Sequence, residues 1–351
     1  MLYSTDDLRI SGMQEVLPPA QLHEELPITD HASETVFNAR QMTQKIVHGD
    51  DDRLVVIVGP CSIHDPDAAR EYAARLQPLV TELKDDLHII MRVYFEKPRS
   101  VVGWKGLIND PYLDGSFKIN DGLHFARKLL LDLAEMGVPT GSEYLDLISP
   151  QYIADLISWG AIGARTTESQ AHRELASGLS CPVGFKNATD GGLQIAVDAC
   201  MSASKPHHFM SLTKAGHSAI FSTTGNPDCH VILRGGKTPN YDAASIQETA
   251  ATIGRTGQKA LFMVDCSHAN SGKSHVQQEV VCRDVADQIA NGEKRIMGLM
   301  LESNLVAGRQ NTEADKPLVY GQSITDACMA WDNSEVLLRE LAEAVRQRRS
   351  K

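Results

Sequence analysis

From Leu54 onward, short apolar runs alternate with longer amphipathic stretches, a rhythm that commits a chain to strands covered by helices. The runs at 54–59, 88–95, 138–143, 161–165, 182–187, 230–234, 261–266 and 296–302 read as strands. The stretches at 66–83, 121–136, 150–159, 169–178, 191–204, 242–256, 276–291 and 325–348 read as helices. Asp65–Pro66 and Ser149–Pro150 each put a capping side chain before a proline at the first helical position. Thr325 is placed to cap the last helix, which Asp326 begins. Eight strands and eight helices in this order predict an α/β fold of one parallel (β/α)8 barrel. A doubly wound open sheet is the alternative, because alternation does not show closure.

Two stretches stand outside the rhythm. Residues 1–50 are polar and irregular, with one helix over 33–47. Residues 207–226 read as two β-rich runs around Lys214-Ala215-Gly216, where one helix-to-strand connection would suffice. The expected organisation is an N-terminal extension over 1–50 and a barrel over 51–351 carrying an inserted hairpin at 207–226.

Six cations end the apolar runs: Arg92, Lys97, Arg99, Arg165, Lys186 and Arg234. The chain is otherwise acidic, with a formal charge of −11, so clustered positive charge runs against its composition. That balance argues against a nucleic-acid or membrane-surface binder. No apolar run reaches the length of a membrane helix, and the N-terminus does not read as a secretion signal. The seven cysteines are irregularly spaced, which fits thiols in a reducing cytoplasm rather than a disulfide framework.

In a (β/α)8 enzyme the reacting groups stand at the carboxyl ends of the strands. Those ends supply Cys61, Arg92 through Arg99, Glu143, Arg165, Lys186, Arg234, His268 and Glu302, with Asp326 beside them. A lone cation after a strand is usually solvated or ion-paired. Six on one rim repel one another unless anions neutralise them, which points to a phosphorylated or carboxylated small molecule. Lys97 and Lys186 serve as point charges, or as proton donors if crowding lowers their pKa. Cys61, His268, Glu302 and Asp326 form a mixed donor set for Mn, Fe, Co or Zn. Taken singly, each has a structural reading as buried thiol, loop cap or ion-paired carboxylate. A His64–Cys61 nucleophile, a Schiff base on Lys186 and a phosphate loop at Arg234–Lys237 are weaker alternatives.

The segments GPCSIHDP (59–66), MRVYFEKPRS (91–100), GWKGLINDP (103–111), IGARTTESQ (162–170), PVGFKN (182–187), ILRGGK (232–237), DCSHAN (265–270) and SITDAC (323–328) resemble the type I 3-deoxy-D-arabino-heptulosonate 7-phosphate (DAHP) synthases. The resemblance spans nearly the whole chain. It implies a barrel in a dimer or tetramer that joins phosphoenolpyruvate to erythrose 4-phosphate, the first step of the shikimate pathway. It implies one divalent ion on Cys61, His268, Glu302 and Asp326, and phosphoenolpyruvate on Arg92, Arg165, Lys186 and Arg234. Lys97, Arg99 and Ser100 would meet erythrose 4-phosphate, with Lys97 protonating the aldehyde oxygen and Glu143 bordering the substrates. Two departures are small: Ser100 stands where Thr is frequent, and Ala188 where Gly is.

The extension and hairpin have no task in that chemistry. In similar chains they form a feedback site for an aromatic amino acid, completed by an adjacent subunit. The matching positions are Asp6, Asp7, Leu147, Gln151, Leu179, Ser180, Phe209, Ser211 and Phe221. Ser211 favours L-phenylalanine, since glycine there would leave room for the extra phenol oxygen of tyrosine. Phe221 is bulkier than the aliphatic residue expected. The rival readings are a barrel synthase using arabinose 5-phosphate and a catalytically silent sensor. The extension and hairpin disfavour the first, and the retained ligands and cations disfavour the second.

Overall fold

Backbone pairing along the apolar runs closes them into a ring. The computed structural model describes residues 3–99, 102–312 and 316–351. The strands are β1 (Leu54–Gly59), β2 (Leu87–Arg92), β3 (Thr140–Glu143), β4 (Trp159–Ile162) and β5 (Val183–Lys186). A hairpin of β6 (His208–Leu212) and β7 (Ser218–Ser222) precedes β8 (Cys229–Leu233), β9 (Phe262–Asp265) and β10 (Ile296–Glu302). Eight of them pair in the order β1-β10-β9-β8-β5-β4-β3-β2, which is a closed barrel and excludes the open sheet.

Both faces of these strands are covered, so they read as continuous apolar runs. Val55 and Ile57 of β1 join the interior cluster with Ile90, Trp159, Ile232 and Met300, while Leu54, Val56 and Val58 belong to the outer layer beneath the helices. Glycines on both neighbouring strands make room for Trp159: a Cβ on Gly141 or Gly184 would lie 3.0 or 2.9 Å from its indole. The indole Nε1–H donates to Nε2 of His230 at 3.1 Å. Burial lowers the pKa of that imidazole to about 4, so it stays neutral and can accept.

Helices α1 (Pro19–Glu25) and α2 (Asp30–His48) precede the barrel. The Thr29 hydroxyl caps α2 by accepting from the Ala32 amide, and Gly49 ends it in the left-handed region at φ 67°. Ile46 and Val47 of α2 join the interior cluster and close the end where the strands begin. The covering helices are α3 (Pro66–Glu82), α4 (Ile119–Glu135), α5 (Pro150–Ile153), α6 (Gln170–Gly178), α7 (Gln194–Ala203), α8 (Ala243–Gly254), α9 (His275–Ala290) and α10 (Trp331–Arg349).

Two expected helices differ. The stretch 150–159 holds only α5 and a 3-10 turn at Ala154–Leu156, because β4 already begins at Trp159. Ser149 makes no cap; its hydroxyl donates to Glu96 Oε2 at 3.1 Å. The last helix starts at Trp331 rather than 325, and no side chain caps it. Residues before it are held in extended pairings instead. Strands β11 (Val306–Arg309) and β12 (Gln322–Ser323) form a small sheet, and bridges join Gly308 to Cys328 and Ser303 to Met329. Thr325 shares a 2.7 Å hydrogen bond with Ser62 just after β1.

The β6–β7 hairpin is antiparallel, with Phe209 opposite Phe221 and Ser211 opposite Ala219. Its turn uses Gly216 at φ 83°, and the Lys214 carbonyl accepts from the Ala20 amide at 2.7 Å. The hairpin thus rests on the start of α1.

The Asp65 carboxylate accepts from the amides of Asp67 and Ala68 at 2.9 and 3.1 Å, as the sequence predicts. Asp65→Ala should lower stability by about 1 kcal/mol in chemical denaturation. An unchanged midpoint would show that this cap does not stabilise α3.

Candidate active site

The carboxyl ends of the barrel strands open into a cavity of about 350 Å³. Lys97, Arg99, Glu143, Arg165, Lys186, Arg234, His268 and Asp326 all border it. Arg92, Cys61 and Glu302 lie buried against the same group. The rim expected from sequence is therefore one place in space. Ser100 lies outside the described residues. A second cavity, at the opposite end beside Arg53 and Lys259, is lined by none of the expected site residues.

Arg92 ends β2 and has no exposure to solvent. Its Nη2 donates to Glu302 Oε1 at 3.0 Å and to the Cys61 carbonyl at 3.2 Å, while Nε donates to the Pro60 carbonyl at 3.1 Å. The guanidinium lies 3.5 Å from the centre of the Tyr94 ring, and Nη1 is 3.1 Å from Met300 Sδ. This support fixes the charge by packing as well as by pairing.

Cys61, two residues beyond β1, faces Glu302 at the end of β10 and Asp326 on the long loop before α10. Their ligand atoms all lie within 4.8 Å of one another, with Cys61 Sγ 4.0 Å from Asp326 Oδ2. His268, the fourth residue expected from sequence, lies outside that tight group and borders it through Nε2, 3.9 Å from Glu302 Oε1. Nδ1 of the same ring lies 2.8 Å from Asp265 Oδ2 and 2.6 Å from Ser267 Oγ, so a proton held there leaves the Nε2 lone pair toward Glu302. A thiol and two carboxylates with an imidazole at their edge are donors that suit a divalent transition ion. Burial and Glu302 push the Cys61 thiol up, opposed by Lys97 and Arg92. A bound cation would supply the charge that favours the thiolate.

Lys97 leaves β2 on a loop and is buried, its Nζ 3.2 Å from Cys61 Sγ. Burial disfavours its charge, but Cys61 and Glu302 outweigh that, and the ammonium is held above the ordinary lysine range. For Lys97 the lowered pKa considered from sequence is thereby corrected: its neighbours Cys61 and Glu302, rather than the surrounding cations, decide the direction. Lys186 ends β5 and donates to Asp265 Oδ2 at 2.9 Å. Arg165, Arg234 and Arg99 are left more open. Arg165 stands on the loop beyond β4 and is exposed. Arg234 is half-buried, and burial lowers its pKa while Arg165 repels it. Arg99 donates to the Trp104 carbonyl at 2.8 Å. Of the six expected cations, these three are the least buried, and all border the cavity.

Asp265 and Tyr94 escaped the sequence reading. Asp265 ends β9, and its rim position within DCSHAN was the available signal. Tyr94 reads as one more apolar residue, and nothing in the sequence marks its contact with Arg92.

The hairpin positions form a second group. Phe209 and Phe221 pack with ring centres 6.1 Å apart, and Ser211 shares their half-buried face. Leu147, Gln151, Leu179 and Ser180 lie on or beside α5 and α6, and Lys214 Nζ donates to the Gln151 carbonyl. Asp6 and Asp7 stand on an exposed segment. Among the described residues, no hydrogen bond or ion pair joins them to the hairpin.

A family model described as the DAHP synthetase I family matches residues 27–339. The chain is 60% identical over 349 residues to the Phe-sensitive phospho-2-dehydro-3-deoxyheptonate aldolase of Escherichia coli K12, covering 99% of this chain and all of that protein. It is 52% identical to the Trp-sensitive aldolase of the same organism, over 97% of this chain and 98% of the relative. A solved phospho-2-dehydro-3-deoxyheptonate aldolase from Francisella tularensis SCHU S4 superposes with a TM-score of 0.95 at 52% identity, over 97% of this chain and 99% of the other.

Glu96 supplies a pH test. Burial, then repulsion from Asp146, raises its carboxyl pKa from 4.5 to about 7. The folded state therefore holds the proton more tightly than the unfolded one. Its stabilising contribution is complete below pH 4.5 and is lost as pH rises through about 7. Glu96→Gln mimics the protonated form, so its thermal midpoint should gain on the wild type as pH goes from 5 to 8. A pH-independent gap between the two midpoints would refute the buried-acid assignment.

Proposed function

From the premise that this chain belongs to the DAHP synthetase I family, we propose that it condenses phosphoenolpyruvate with D-erythrose 4-phosphate and water, giving DAHP and inorganic phosphate. The observation that carries the reading is one polar cavity bordered by five of the six expected cations and His268, with buried Arg92 and the Cys61–Glu302–Asp326 cluster beside it. Cys61, His268, Glu302 and Asp326 would hold one divalent ion, which when bound supplies Lewis-acid polarisation of the aldehyde carbonyl.

Arg92, Arg165, Lys186 and Arg234 hold the carboxylate and phosphate of phosphoenolpyruvate. Arg99 and Ser100 take the phosphorylated aldose, and Glu143 flanks the reacting carbons. The cations offset the repulsion between two polyanions, so the enol carbon can approach the aldehyde. As that carbon–carbon bond forms, Lys97 Nζ gives its proton to the aldehyde oxygen. Water adds to the cationic second carbon left behind, and the resulting hemiketal phosphate loses phosphate by C–O cleavage.

Residues 1–50 and the hairpin form a regulatory unit that takes an aromatic amino acid, L-phenylalanine first, in a dimer or tetramer. Ser211 beside the Phe209–Phe221 pair supports the choice, as does the 60% identity to a Phe-sensitive relative. Asp6 and Asp7, which are exposed and make only local hydrogen bonds among the described residues, fit completion by a second subunit. No helix among the described residues is long and apolar enough to cross a membrane, and a cytoplasmic site of action fits the seven free cysteines.

Phosphate release with both substrates tests the activity. EDTA should abolish it, Mn, Fe, Co or Zn should restore it, and Cys61→Ala should lose metal-dependent turnover. Near-normal turnover by Cys61→Ala would remove that thiol from the ligand set. Phenylalanine should inhibit more strongly than tyrosine or tryptophan, and Ser211→Gly should shift the preference toward tyrosine. Stronger inhibition of the wild type by tyrosine or tryptophan would reject the effector assignment.

A further inference from the structure

One carboxylate joins the two halves of this site. Asp265 has no exposure to solvent, and each of its oxygens meets two polar partners. Oδ1 accepts from the Ser267 amide at 3.0 Å and from the Ser267 hydroxyl at 2.6 Å. Oδ2 accepts from Lys186 Nζ at 2.9 Å and lies 2.8 Å from His268 Nδ1, a ring nitrogen that also lies 2.6 Å from Ser267 Oγ. Burial opposes the charge of Asp265, but His268 and Lys186 overcome it and hold the carboxyl well below its usual range. His268 itself sits at φ 56°, uncommon for a side-chain-bearing residue, and its carbonyl accepts from the Lys273 amide at 2.7 Å. The imidazole is thus fixed from both its backbone and its ring.

We propose that Asp265 is a positioning residue whose Oδ2, shared between Lys186 and His268, couples phosphoenolpyruvate binding to divalent-metal binding. The inference rests on the site assignment made above. Lys186 and the imidazole N–H compete for the charge on one oxygen. When Lys186 turns its ammonium toward an incoming anion, that oxygen becomes a stronger acceptor for His268 Nδ1–H. A stronger acceptor makes Nε2 a better donor to a metal. By thermodynamic reciprocity, the metal then tightens phosphoenolpyruvate by the same factor.

The measurement is Mn2+ affinity by competition with a chromophoric chelator, without and with phosphoenolpyruvate and with no aldose present. Phosphoenolpyruvate should tighten Mn2+ on the wild type. Asp265→Asn, checked for folding by circular dichroism, should weaken Mn2+ about 10–100-fold and lose most of that tightening. A folded Asp265→Asn that matches the wild type in both respects overturns the inference and leaves the site reading intact. A wild type that binds no divalent ion overturns both. Should Asp265→Asn not fold, the Zn2+-loaded wild type decides: its downfield imidazole Nδ1–H proton resonance should move when phosphoenolpyruvate is added, and an unmoved resonance rejects the coupling.

Discussion

Everything at this rim depends on keeping cations inside a closed barrel without leaving them unpaired. Arg92 is wholly buried, and an isolated guanidinium there would carry a desolvation cost of at least several kcal/mol. Glu302, two backbone carbonyls and the Tyr94 face offset it. Lys186 is handled in the same way by Asp265. The strand ends therefore carry cations already matched to buried anions, while Arg165, Arg234 and Arg99 remain open to a ligand. The inner charges are thus fixed and the outer ones left adjustable, a division suited to binding reactive anions.

That division explains what could be read beforehand. Strand and helix rhythm revealed the barrel because each strand is buried on both faces, and the cations at its ends were visible as interruptions of apolar runs. Which cations were spoken for was not visible. The partners of Arg92 and Lys186 lie on β10 and β9, and closing the barrel is what brings them together. The direction of the Lys97 shift was hidden for the same reason, since Cys61 and Glu302 reach it from other strands.

Local signals failed where long-range pairing replaced them. Ser149 and Thr325 look like helix caps, yet one hydroxyl donates to Glu96 and the other pairs with Ser62. The segment 325–330 was expected to open the last helix. Its ladder to Gly308 and Ser303 holds it extended instead, and this delivers Asp326 above Cys61. Cys61, Glu302 and Asp326 of the expected donor set do come together, but Asp326 arrives by a different route from the one the sequence suggested.

The placement of Cys61 and Asp326 has a consequence for biosynthesis. One candidate ligand leaves the first barrel strand and the other lies close to the C-terminus, joined by a 2.7 Å bond between Ser62 and Thr325. A nascent chain still on the ribosome holds the thiol long before the residue that faces it has been translated. The candidate ligands come together only once β10 zips onto β1 and the final loop folds back. Maturation would thereby be ordered, with any ion the full set holds bound only after Asp326 has been made and folded back.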